Sequence, residues 1–94
     1  MTDIVSRTSA LVHFHSDFKR LGAQLKAARQ VAGRRQVEIS RLFERDQSWI
    51  SRVEAGERRV DVFELRALAD IYGVTMESLL DHPDLAVRGN SGLE

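Results

Sequence analysis

Residues 46–59 read DQSWISRVEAGERR, and this stretch gathers most of the side chains able to recognise another molecule. Gln47 offers an amide donor and acceptor together, Ser48 and Ser51 offer hydroxyls that do both, and Arg52 offers a planar fork of donors. Ile50 and Val53 are spaced to face inward on one helix, which leaves Gln47, Ser48, Trp49, Ser51 and Arg52 outward. Such a face can address base edges: Gln pairs bidentately with adenine, Arg with guanine O6 and N7, and an apolar ring meets a thymine methyl. Trp49 has a second placement open to it, folded back over Phe43 or the stem of Arg45, because indoles usually find cover. No nucleophile–base–acid set, phosphate-binding glycine loop or paired-carboxylate pocket occurs in the chain, so the expectation is a non-enzyme with no cofactor. His13, His15, Asp17 and His82 are too loosely arranged to be taken as a metal site.

The formal net charge is zero, but the charges are segregated. Residues 19–59 hold eleven Lys and Arg against five Asp and Glu, a surplus of six positive charges; the remaining residues hold three bases and nine acids. A chain polarised in this way presents one basic surface, as expected for a polyanionic partner. The 94 residues allow a single domain, 43% of them hydrophobic and 30% charged, without a cysteine for a disulfide or thiolate zinc site. The start, MTDIVSRTSALVHFHSDF, lacks the basic end and long apolar run of a signal peptide. No apolar run approaches the roughly 20 residues of a membrane span, so a cytoplasmic location and no membrane partner are expected.

The elements that must position these side chains are short helices; the only proline is Pro83 and no run alternates in the manner of a strand. Phe18, Leu21, Leu25, Ala28 and Ala32 mark the face of a first helix that Ser16 or Asp17 can cap and Gly33 ends. A second helix is expected from Gln36 to about Phe43, with Ile39, Leu42 and Phe43 as its apolar content. A third is expected over Gln47–Ala55, with Asp46 as N-cap and Gly56 as stop. Asp61 and Glu64 form a capping pair for a fourth, whose stripe is Leu65, Leu68, Ala69 and Tyr72 and whose end is Gly73. Thr75 caps a last helix through Leu79 and Leu80. The spacing of Leu11, Phe14, Phe18, Leu21 and Leu25 would also carry the first helix backward into the arm. Residues 1–16 are read as an N-terminal arm, 17–81 as the domain and 82–94 as a flexible tail. The tight link between the second and third helices is that of a helix-turn-helix.

Residues 21–80, from LGAQLKAARQ to TMESLL, resemble the Cro/phage-repressor (XRE-type) helix-turn-helix family. The resemblance rests on Leu25 and Arg29, Gln36, Gln47-Ser48, Ile50-Ser51-Arg52-Val53-Glu54, Gly56-Glu57-Arg58, Leu65, Leu68-Ala69, Tyr72-Gly73-Val74 and Leu79-Leu80 in register. It implies an all-α, five-helix, lambda-repressor-like DNA-binding domain whose third helix lies in the major groove. Gln47, Ser48 and Arg52, with Trp49 and Ser51, are then the base-reading candidates. Phosphate contacts are expected from Arg34, Arg35 and Gln36 before and at the second helix, and from Arg58 and Arg59 after the third. The family pairs an Arg of the first helix with a Glu of the third, so Arg29 and Glu54 are expected to form a structural ion pair, the alternative being a surface pair of little weight.

The chain departs from the family in three places. Arg34-Arg35 stand where an apolar residue and a Ser or Thr are common, Glu44-Arg45 where a Gly and a small residue are common, and Ser40 where a packed Ala is common. The resemblance implies a transcription regulator acting as a homodimer on double-stranded DNA, with an inverted-repeat operator, as a repressor or autoregulator. The dimer surface would be the last helix, with Leu79 and Leu80, or the arm. Two other roles use the same residues: an antitoxin or restriction–modification controller acting on its own promoter with a partner protein, and a protein-interaction module that has lost DNA binding.

Overall fold

A computed structural model describes residues 14–80, apart from the side chain of His15. Five helices lie among the described residues: α1 Phe14–Val31, α2 Gln36–Leu42, α3 Trp49–Glu54, α4 Val62–Tyr72 and α5 Met76–Leu79. The all-α helix-turn-helix architecture expected from the sequence is the one observed. Residues 1–13 and 81–94, and with them Leu11, His13 and His82, lie outside the described residues.

Helix boundaries follow local chemistry. Asp61 and Glu64 cap α4 reciprocally, Glu64 N–H donating to Asp61 Oδ1 at 2.7 Å and Asp61 N–H to Glu64 Oε1 at 2.9 Å. Thr75 Oγ1 accepts from Ser78 N–H at 3.0 Å and opens α5. Gly33, Gly56 and Gly73 stop their helices with φ of 72°, 77° and 71°. At each, the next residue's N–H reaches back to a carbonyl five residues earlier: Arg34 to Arg29, Glu57 to Arg52 and Val74 to Ala69.

The end of α2 has the same geometry without the glycine. Arg45 N–H bonds Ser40 O at 2.9 Å, Glu44 N–H bonds Arg41 O at 3.0 Å, and Glu44 itself takes the left-handed φ of 54°. A side chain there costs about 1–2 kcal/mol relative to the ordinary helical region. The departure noted at Glu44 is therefore a strained residue in a turn that closes as the glycine-ended helices do.

Two starts differ from expectation. α1 reaches back to Phe14, so Ser16 and Asp17 lie within its first turn rather than capping it. α3 begins at Trp49 with Ser48 as N-cap, so Asp46 does not cap it; only the Asp46 carbonyl takes part, accepting from Trp49 N–H at 2.9 Å.

The core is Leu25, Ile39, Trp49, Ile50, Val53, Leu65, Leu68, Ala69, Tyr72 and Leu79, with α1 packed on α3, α4 and α5, α2 on α3, and α4 on α5. Leu42, part of the apolar content of α2, is 57% exposed. Leu79 is buried, so it cannot join Leu80 on a dimer surface; Leu80 is half exposed. At the crossing of α1 and α3 a Cβ on Gly22 would fall 2.5 Å from Glu54 O and 2.6 Å from Val53 O. One turn earlier, a Cβ on Gly56 would fall 2.8 Å from Lys19 Cα. Glycine at both points lets the backbones touch. If Glu44 is strained as described, Glu44→Gly should raise stability by about 1 kcal/mol, read as a higher urea midpoint. An unchanged or lower midpoint would show that the turn carries no such strain.

Candidate nucleic-acid interface

α3 turns about 100° per residue, and this alone sorts its side chains. Trp49, Ile50, Val53 and Glu54 fall on one arc and are buried; Ser48, Ser51, Arg52 and Ala55 fall on the other and are exposed. Gln47, in the turn before the helix, is also exposed. Four of the five proposed base readers thus lie on one open face.

Trp49 is the exception. It is only 4% exposed, its ring centroid lies 4.9 Å from that of Phe43, and the Arg45 guanidinium sits 5.1 Å over its own ring. It lies one turn before Val53 and so belongs to the core side. The outward position given to Trp49 is corrected, and with it a base-reading role; of its two placements the one over Phe43 is observed.

The inner side of α3 is held at both ends. At its start no side chain of its own caps it. Ser40 of α2, fully buried, does so across the turn: its hydroxyl accepts from Ile50 N–H at 3.2 Å and lies 3.4 Å from Gln47 O, to which it donates. The departure at Ser40 thus provides the α3 cap. At the other end, Arg29 donates from Nε to Glu54 Oε2 at 2.7 Å and from Nη2 to Glu54 Oε1 at 3.2 Å. Arg29 Nη1 also reaches Arg34 O at 2.8 Å, and Gln36 Nε2 reaches Glu54 Oε1 at 2.8 Å. Arg29 and Glu54 are both 8% exposed, so the pair is the buried alternative. The Glu54 hydrogen bond, with its charge in support, holds the Arg29 guanidinium above its ordinary pKa against the opposing effect of burial.

The expected phosphate contacts divide when placed. Arg34 Nη1 pairs with Glu38 Oε2 at 2.6 Å, and Glu38 Oε1 accepts from Arg35 N–H at 3.3 Å. The Arg34 hydrogen bond, then that of the Arg35 backbone, holds the Glu38 carboxyl below the usual range. An acid in the first turn of α2 therefore offsets the two arginines ahead of it. The amide donor of Gln36 is committed to Glu54. Arg59 lies over the rings of Phe14 and Phe18, at 5.0 and 4.6 Å, a cation–π contact with the start of α1. Arg35 and Arg58 are exposed and form no ion pair among the described residues. Arg45, not singled out from the sequence as a site residue, pairs with Glu64 Oε2 at 2.6 Å while covering Trp49. No group of His, Asp and Glu able to hold a metal exists among the described residues.

With the geometry in place, comparison with known families is direct. A family described as a helix-turn-helix domain matches residues 20–82, about two-thirds of the chain, and the chain belongs to that family, in its Cro-like (XRE) kind. It is a DNA-binding domain family, typically without enzymatic activity. Neither the curated proteins nor the solved structures searched gave a match. No helix among the described residues is long and apolar enough to cross a membrane.

Two measurements test the packing behind this face. Ser40→Ala keeps the volume small but leaves Ile50 N–H unpaired, and should cost about 1–2 kcal/mol of unfolding free energy. An unchanged stability would mean that the hydroxyl does not cap α3. The second concerns Tyr72, the only tyrosine, which is buried with its hydroxyl unpartnered among the described residues. Burial first, and then the Glu54 charge, push its pKa above the ordinary 10.0. A raised folded-state pKa means that the unfolded chain loses this proton first. The stabilising effect is therefore complete below pH ~10 and declines above it, by up to about 1.4 kcal/mol per pH unit. Tyr72→Phe should leave neutral-pH stability unchanged or slightly higher and flatten the alkaline loss; an alkaline limb as steep as that of the parent would contradict this.

Proposed function

We propose that this helix-turn-helix protein is a sequence-specific, double-stranded-DNA-binding transcription regulator. It acts in the cytoplasm as a homodimer on an inverted-repeat operator, as a repressor or autoregulator. The observation that supports this best is the contrast between the two sides of α3. The inner side is locked to α1 and α2 through Ser40, Arg29 and Glu54, while the outer side offers Ser48, Ser51 and Arg52, with Gln47 beside them, to solvent.

In this reading α3 enters the major groove. Gln47 addresses adenine, Arg52 guanine, and the serine hydroxyls adjust to either partner. Arg35 and Arg58 carry the leading phosphate contacts. Arg34, Gln36 and Arg59 contribute less because each is already engaged. A dimer follows from scale: one six-residue helix reads few base pairs, and two related by a two-fold axis read half-sites about one turn, ~34–36 Å, apart.

Selection of bound duplexes from a randomised library at near-physiological salt tests the proposal. The expected product is an inverted repeat with half-sites about one helical turn apart. Arg52→Gln should relax the preference at one base pair of each half-site, a loss of about 1–3 kcal/mol of discrimination there. Retention that responds to salt but enriches no sequence would overturn sequence-specific regulation and favour a nonspecific or partner-dependent binder.

A further inference from the structure

α1 starts ahead of the stretch that matches the helix-turn-helix family: residues 14–19 precede residue 20, where that stretch begins. Phe14 and Phe18 are four positions apart on this added part of α1, so they share one helix face. There they meet segment 56–60, which leaves the end of α3 and leads to α4.

Segment 56–60 is fastened along its length. Gly56 lies against the α1 backbone, where a Cβ would fall 2.8 Å from both Cα and Cγ of Lys19. The amides of Glu57 and Arg58 both donate to Arg52 O, at 2.9 and 3.2 Å, and Val60 packs on the core. Between these points the Arg59 guanidinium lies over two rings, 4.6 Å from the centroid of Phe18 and 5.0 Å from that of Phe14. The rings meet edge to face, with centroids 5.4 Å apart and planes at 83°. A guanidinium is planar and weakly hydrated, so it settles on such a platform at little cost in lost water. Arg58, its neighbour in the chain, is exposed and forms no ion pair among the described residues.

We propose that Phe14 and Phe18 are positioning residues for DNA binding. By holding Arg59 they fix segment 56–60 before the duplex arrives, so that Arg58 and the end of α3 are presented in one arrangement. The inference rests on the DNA-binding reading above and adds to it two residues that lie ahead of the matched stretch. A loose segment has to be ordered when the partner binds, and that ordering is subtracted from the affinity. A cation–π contact at an exposed site corresponds to a factor of about 2–5 in an equilibrium, which sets the size of the effect.

The test uses the full chain as the parent, Phe14→Leu, Phe14→Tyr and Phe18→Leu. Leucine keeps an apolar side chain without the ring, and tyrosine keeps the ring. Backbone order parameters of amides 57–59 and the ring-current shift of the Arg59 side-chain protons are measured by NMR without DNA. In the parent these amides should lie near the rigid value of about 0.85, and both leucine variants should lower them and remove the shift. Affinity for a mixed-sequence duplex is then measured across salt, below the melting midpoint of every variant. Each leucine variant should bind about 2–5-fold more weakly with an unchanged salt slope, since no charge is removed. Phe14→Tyr should match the parent. Phe14 is the more exposed of the two rings, so Phe14→Leu decides if Phe18→Leu unfolds.

Unchanged affinity in a folded Phe14→Leu would overturn the proposal, leaving the rings a role in stability alone. Tighter binding with a slope steeper by about 1 would also overturn it, because the rings would then be withholding Arg59 from the duplex. The spectra need no DNA, so amides equally rigid in the parent and Phe14→Leu overturn the fastening whatever the duplex does. A parent that binds no duplex at any salt overturns the DNA-binding reading instead.

Discussion

The buried pair of Arg29 and Glu54 is the constraint on which the rest of the arrangement depends. One guanidinium and one carboxylate gather four pieces of chain: α1 through Arg29, the following loop through the Arg34 carbonyl, α2 through Gln36, and the end of α3 through Glu54. Replacing such a pair wholesale by apolar groups is often neutral, whereas removing one partner strands the other and costs about 3–5 kcal/mol. The pair therefore contributes position more than net stability. It fixes where α3 ends relative to α1, at the point where Gly22 allows the backbones to meet. A carboxylate anchored by three donors has one orientation, and a six-residue helix carrying it has little rotational freedom left.

The same logic sorts the basic residues. The sequence between residues 19 and 59 carries a surplus of six positive charges, but that surplus is not all an outward footprint. Arg29 is interior, Arg34 is matched by Glu38, Arg45 is matched on one side by Glu64, and Arg59 rests on two phenylalanine rings. Surface pairs such as Arg34–Glu38 are individually weak, about 0–1 kcal/mol, yet they decide which cations a polyanion meets without first breaking a contact. Of the other seven, Lys19, Arg20 and Lys26 lie on α1 and Arg41 on α2, while Arg35, Arg52 and Arg58 border the α3 face or precede α2.

Much of the architecture was legible because local rules and tertiary packing agree. Gly33, Gly56 and Gly73 end helices since a left-handed residue closes the last turn, and the Asp61–Glu64 box opens α4 from side chains three positions apart. What the sequence concealed depends on contacts between segments. Ser40 reads as an odd substitution in α2 until Ile50 N–H is seen against its hydroxyl. Gly22 reads as a weak spot in a helix until the carbonyls of Val53 and Glu54 are seen where its Cβ would be. Trp49 is a different case, because its position one turn before Val53 already placed it inward. Its polar neighbours disguise that geometry, although helical phase sorts side chains irrespective of their type. Among the candidate site residues, exposure of Gln47, Ser48, Ser51 and Arg52 could be read from phase, while the engagement of Arg34, Gln36 and Arg59 could not, since their partners come from other positions.

The departures from the family at Ser40, Glu44 and Arg45 make physical sense together. α3 is too short to be stable alone, because a helix of this length does not recover the cost of nucleation in water. Its start must be held from outside, and it lacks a side-chain cap of its own. The strained residue at Glu44 closes α2 so that Ser40 comes to lie under Ile50 N–H and Arg45 leaves the turn toward Trp49 and Glu64. Strain in one residue is thereby exchanged for a buried hydrogen bond, an aromatic contact and an ion pair at the start of α3. A face fixed before it meets a partner loses less freedom on binding than one that must be ordered by it. The cost of rigidity is thus met in the turn during folding, and the open side chains of α3 are left with only their own rotamers to settle.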